Sequence, residues 1–132
     1  FWIMSTLFSK IIAGEIPSYK IYEDEHVFAF LDIFPVKSGH VLIVPKVEVD
    51  YFVEVPEPYY SAVFQSAKRI SQAIQSATGC LRVCAVIKWY EIPHFHLHLI
   101  PTNLESDLDG IHPTRASDED LKRMQEKIFS FL

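Results

Sequence analysis

Apolar positions along this 132-residue chain change their spacing repeatedly, and each change predicts an element. Leu7, Phe8, Ile11 and Ile12 follow Ser5-Thr6 at helical spacing, and Gly14 is placed to end that short amphipathic helix. Ile16-Pro17 breaks the pattern toward a strand over residues 19–23. Glu23-Asp24-Glu25 is a polar turn into a second strand over 26–33, where Val27, Ala29 and Leu31 alternate with Phe28 and Phe30. Asp32 closes it, and Pro35 with Ser38-Gly39 forms a loop. An apolar, β-branched run over 40–44 is a third strand, stopped by Pro45, and 46–55 reads as loop with room for one helical turn. Pro56 and Pro58 suit the entry to a helix, where a missing N–H costs nothing. From there Val63, Ala67, Ile70, Ile74 and Ala77 keep to one helical face as far as Gly79. Residues 81–87 and 93–100 read as fourth and fifth strands, and 102–113 as a polar loop. Ser117 with Asp120 starts a last helix, with Leu121, Met124, Ile128 and Phe131 on one side.

Five strands with helices at the start, middle and end, few of them alternating, predict the α+β class. The expected architecture is a five-stranded antiparallel sheet with a short N-terminal, a long central and a C-terminal helix. The length suits one domain with a proper core, placed at 4–132. Residues 1–3 precede Met4, which reads as the natural start. A net charge of −5 excludes the broad basic face that a nucleic-acid polymer or an acidic membrane needs, though not a small anionic ligand. Cys80 and Cys84 match neither a disulfide framework nor a paired metal motif, so buried free thiols in a reducing compartment are expected. No stretch approaches the roughly 20 apolar residues of a membrane span, and a cytoplasmic location is the default expectation.

The densest chemistry lies in His94-Phe95-His96-Leu97-His98-Leu99-Ile100. On a strand the period of two puts the three imidazoles on one face and Phe95, Leu97 and Leu99 on the other, toward a core. Three readings stay open on spacing alone. The rings could be structural, although neighbouring imidazoles disfavour one another's protonation and each needs partners. They could be metal ligands, since alternating histidines can serve zinc. They could also supply a nucleophile and proton handlers.

The same residues resemble the signature of the histidine triad (HIT) superfamily of nucleotide hydrolases and transferases. Three further stretches resemble that family in the same order: residues 7–17, Phe30-Leu31-Asp32-Ile33, and Gly39-His40-Val41-Leu42-Ile43-Val44-Pro45-Lys46. The match runs from about residue 7 to 101, and the loop over 103–109 with the last helix looks like a branch of small bacterial HIT proteins. The resemblance implies a two-fold dimer with a continuous sheet, and a purine nucleotide such as AMP or a derivative as the small-molecule partner. It implies His96 as the nucleophile at an α-phosphorus, His98 on the phosphate, His94 orienting His96 through its backbone carbonyl, and His40 in the surrounding cluster. It places Asp32 on the ribose, Phe8, Phe30 and Ile33 around the base, and Glu91 beside the phosphate. The implied substrates are nucleoside phosphoramidates or dinucleoside polyphosphates, with a nucleotide-binding protein of little turnover and a histidine-ligated metal hydrolase as alternatives.

Elementary chemistry bears on several of these positions separately. A neutral imidazole is a good nucleophile near pH 7. Asp32 fits a ribose contact and an Asx turn before Pro35 equally well, and Phe8 and Phe30 read as plain core. Departures from the family pattern are also informative. Zinc-binding members carry two cysteines and a histidine where this chain has Thr6, Ser9 and Glu48, so neither metal nor cofactor is expected. The segment before the triad, 86–93, is shortened and carries Trp89 and Tyr90. There Lys88 is either a solvated surface residue or a positive charge for an anionic leaving group.

Overall fold

The computed structural model describes residues 6–88, 92–109 and 113–132. Helix α1 (Leu7–Ile12) begins at Thr6, whose hydroxyl accepts the Ser9 N–H at 3.1 Å, as an N-cap should. Strands β1 (Lys20–Glu23) and β2 (Val27–Leu31) form a hairpin, and β3 (Val41–Pro45) pairs antiparallel with β2. Helix α2 (Tyr59–Thr78) leads to β4 (Arg82–Ile87), then β5 (Leu97–Thr102) and finally α3 (Asp118–Phe129). The strands make one antiparallel sheet in the order β1-β2-β3-β5-β4. The predicted α+β architecture is the observed one.

Each face of the sheet has its own packing. Val27, Ala29 and Leu31 of β2, Val41 and Ile43 of β3, and Leu97 and Leu99 of β5 point toward α2 and α3. There they meet Val63, Ala67, Ile70, Ile74 and Ala77, the stripe expected from the sequence. Val63 and Ile74 are fully buried, and each contributes roughly 1.5–3 kcal/mol by leaving water. Gly79 closes α2 in the left-handed region (φ 69°), which a side chain would oppose. On the opposite face Phe28, Phe30, Leu42 and Val44 form a smaller cluster with Phe8 and Ile11 of α1. That smaller cluster flanks the histidines.

Three expectations need correction. The last strand begins at Leu97 and runs to Thr102, instead of spanning 93–100. The Phe95 N–H donates to the Val49 carbonyl at 2.6 Å and the His94 N–H to the Ile92 carbonyl at 2.7 Å. The backbone before Leu97 is therefore tied to a turn and to the 46–55 segment, away from the ladder. Pro101 sits inside β5 because pairing with β3 ends at Leu99, so its missing N–H removes no bond on that side. Second, α3 stops at Phe129, and Phe131 lies beyond it, 53% exposed, not on the buried stripe. Third, Cys80 is buried but Cys84, on the edge strand β4, is only half-buried; both thiols are free. Residue 4 and its neighbours to either side lie outside the described residues.

Candidate active site

Loop closure brings the polar residues of the second face together. The Asp32 N–H donates to the His40 carbonyl at 2.9 Å, so the two ends of the β2–β3 connection meet. Gly39 takes φ 102°, and a Cβ there would stand 2.9 Å from the Thr78 methyl group. The loop can thus pass close to the end of α2 and deliver His40 to the sheet. The Asp32 carboxylate divides its work: Oδ1 accepts the Phe34 N–H at 2.9 Å in an Asx turn, while Oδ2 lies 3.7 Å from His40 Nε2. The two sequence readings of Asp32 are compatible in one residue.

The hydrogen bonds of the histidines fix their tautomers. His40 Nδ1 accepts from the Val36 N–H at 3.1 Å, so in the neutral ring Nε2 carries the proton. That proton is donated to His98 Nδ1 at 2.9 Å, which leaves the proton of His98 on Nε2. His98 Nε2 is buried and has no hydrogen-bond partner among the described residues. A buried donor of this kind suits an anionic oxygen. Burial foremost, then the charge of Lys88, pushes His40 down to about 4. Burial, then His40, His96 and Lys88, pushes His98 down to about 3. Both rings are neutral at pH 7.

His94 is held on both sides. Its Nε2 donates to the Pro45 carbonyl at 2.8 Å, and its Nδ1 accepts from the Thr6 hydroxyl at 3.0 Å. Burial is the main cause of its lowered pKa. Thr6 and Ser9 are in turn anchored by Glu48, whose Oε1 accepts the Thr6 N–H at 2.9 Å and the Ser9 hydroxyl at 2.6 Å. These bonds, Ser9 first, hold the Glu48 carboxyl below its usual range. Finally, His96 Nδ1 donates to the His94 carbonyl at 2.8 Å. The lone pair of His96 is thereby assigned to Nε2. Phe8 packs edge-on against both rings, with centroids 4.9 Å from His96 and 5.9 Å from His94.

A cavity of about 390 Å³ opens over this surface. His40, His96 and His98 line it, as do Phe8, Phe30, Asp32 and Ile33. Phe8 and Phe30 are buried and Ile33 is partly exposed, so the first two serve core and cavity wall together. His94 does not line the cavity, consistent with its ring being occupied elsewhere. Glu91, with Trp89 and Tyr90, lies outside the described residues. The histidine-ligand alternative meets a chemical obstacle, because both ring nitrogens of His94 already serve hydrogen bonds. The one set of ligand atoms close enough to hold a metal ion among the described residues is Asp32, His40 and His98, within 4.8 Å of one another. Using it would break the His40–His98 bond.

A HIT domain family model matches residues 13–104. The chain belongs to the HIT family. Among its HIT relatives, adenosine 5'-monophosphoramidase HNT1 of Saccharomyces cerevisiae is 38% identical over 116 residues, covering 86% of this chain and 73% of that protein. The adenylylsulfatase HINT3 of Arabidopsis thaliana is 36% identical over 100 residues, covering 72% of this chain and 51% of that protein. A crystal structure of a HIT-like protein involved in cell-cycle regulation, from Bartonella henselae with an unknown ligand, superposes at TM-score 0.85 with 27% identity, over 100% of both chains.

Sequence reasoning missed what lies behind the HIT triad. Thr6, Ser9 and Glu48 registered only as positions lacking zinc ligands, whereas in the structure they converge on His94 by hydrogen bonds. The signal available was the polar, hydrogen-bonding character of all three residues. Lys88, which also lines the cavity, was weighed in the sequence without a position.

Proposed function

We propose that this HIT protein is a hydrolase or transferase acting at the α-phosphate of purine nucleotide derivatives, through a nucleotidyl-His96 intermediate. The observation that carries the reading is the His96 Nδ1–His94 carbonyl bond, which assigns the lone pair of a cavity-lining imidazole to Nε2. In the first step Nε2 forms a bond to the α-phosphorus while the bond to the leaving group breaks, its electron pair departing with that group. Water then attacks the phosphorus, the P–N bond breaks, and its electrons return to His96. The Nε2 proton of His98 is placed to hydrogen-bond a phosphoryl oxygen, and Asp32 Oδ2 to accept a ribose hydroxyl. Phe8, Phe30 and Ile33 offer apolar surface to the base. His94 and His40 act as positioning residues, one through its carbonyl and the other through His98.

The relatives named for phosphoramidate and adenylylsulfate hydrolysis support a nucleotide substrate whose leaving group varies. No helix among the described residues is long and apolar enough to cross a membrane. Edge strand β4 pairs with β5 alone in the sheet order, and a second copy adding its own β4 would continue the sheet as a homodimer. The test is incubation with adenosine phosphoramidate and with dinucleoside polyphosphates, with and without chelator, followed by mass spectrometry of the unacidified protein. Release of nucleotide monophosphate and an adduct on His96 are expected in both conditions. Turnover that requires added metal would favour the Asp32–His40–His98 set instead, and tight binding without turnover would favour a nucleotide-binding role.

A further inference from the structure

Lys88 follows directly on the last residue of β4. In the β4–β5 ladder Val86 faces His98 and Ile87 faces Leu97, and Lys88 comes one residue after that last pair. Side chains directly opposite on an antiparallel pair share a face, as Val86 and His98 do, and the alternation returns to that face two residues on, at Lys88. Lys88 accordingly lines the same cavity as His40, His96 and His98. An extended lysine carries its nitrogen roughly 2 Å further from the backbone than an imidazole carries Nε2, by simple bond lengths. An extended Lys88 can therefore carry its ammonium past the depth of the nucleophile's tip. Lys88 has no ion-pair partner among the described residues, and its charge is felt by both His40 and His98. Among the described cavity-lining residues it is the one lysine or arginine, and Asp32 the one carboxylate.

We propose that Lys88 is a specificity-determining residue on the leaving-group side, selecting nucleotides whose leaving group is an anionic oxygen, such as a phosphate, polyphosphate or sulfate, over those that release an amine. The proposal rests on the reading of His96 as nucleophile. In-line attack from His96 Nε2 drives the leaving group outward, within reach of an extended Lys88 side chain in the same cavity. When a P–O bond breaks toward a phosphate or sulfate, its electron pair adds negative charge to the departing oxygen, and a fixed cation there is stabilising. When a P–N bond breaks toward an amine, the departing nitrogen takes up a proton and leaves uncharged, so a fixed positive charge there has no departing anion to stabilise.

The experiment compares wild type, Lys88→Gln and Lys88→Arg, each first checked for an unchanged Tm. One measurement is kcat/KM for adenosine phosphoramidate and for a diadenosine polyphosphate. The other is affinity for α,β-methylene adenosine diphosphate relative to AMP. Expected for Lys88→Gln is a fall of about 10-fold or more in the ratio of polyphosphate to phosphoramidate kcat/KM, largely restored in Lys88→Arg. The diphosphate analogue should lose affinity relative to AMP in parallel. Equal losses on every substrate and ligand would assign Lys88 to the shared α-phosphoryl oxygens and overturn the proposal, as would no loss at all. Should wild type turn over neither substrate, the His96 reading falls, and the affinity ratio still decides whether Lys88 holds an anion beyond the α-phosphate.

Discussion

The two faces of the sheet use the same strands for opposite ends. Toward α2 and α3 the interior is hydrocarbon, with Ile21, Ile43, Ile70, Ile74, Leu97 and Leu99 almost wholly removed from water. Toward α1 a smaller aromatic cluster shares the face with four buried histidines and a cavity. A dry face gains stability from every methylene it buries, and its requirements are volume and shape. The wet face must satisfy each ring nitrogen, and it leaves the proton on His98 Nε2 without a partner among the described residues. Stability and chemistry are thereby separated across one layer of backbone, and the separation is testable.

The largest effect should come from His96→Ala. Turnover should fall by about 10³-fold or more while Tm stays near wild type, measured by single-turnover kinetics and thermal melting. Near-normal turnover would remove the nucleophile and with it the functional meaning of the wet face. On the dry face, Ile74→Ala should destabilise the protein by about 2–5 kcal/mol, read from urea unfolding, with kcat per folded molecule unchanged. A comparable loss of kcat would show that the faces are coupled.

Protonation offers a third way to part them. His40 and His98 are pushed down to about 4 and about 3 by burial, below the ordinary value of 6.5. Above that value neither state binds the proton. Below it the unfolded chain binds protons that the folded rings refuse, so stability falls as pH drops toward the folded values. Tm should decline on the order of 5 °C between pH 7 and pH 5, and the slope should flatten in His98→Gln. A flat wild-type profile would mean that the rings are hydrated, and the wet face less sealed than its geometry indicates. The smallest effect is expected from Glu48→Ala, which frees Thr6 and Ser9 but leaves the Pro45 anchor on His94. A fall in kcat of about 3- to 10-fold with little change in KM is expected. An equal change in both would point to a loosened α1 and a disturbed base wall.

Much of the dry face was legible in the chain. The α2 stripe, the inward Phe95, Leu97 and Leu99, and the alternation in β2 all follow from local periodicity, which a residue expresses through its own neighbours. The wet face was legible as an inventory: the histidines, Asp32, Phe8, Phe30 and Ile33 were each singled out. Their arrangement was less so. Periodicity extended the last strand back across the whole triad, but Phe95 gives its N–H to Val49, a bond between segments that no local pattern announces.

What the sequence determined by itself is therefore the class of fold, the family and the residue types available for chemistry, because these depend on local spacing and composition. The tertiary structure decided which nitrogen of each imidazole carries its proton. Those assignments depend on Thr6, Val36 and Pro45, which reach the histidines from other parts of the chain. It also decided that Lys88 lines the same cavity as His96 and His98, since the register that pairs Val86 with His98 is set by the packing of a whole sheet and not by any one residue.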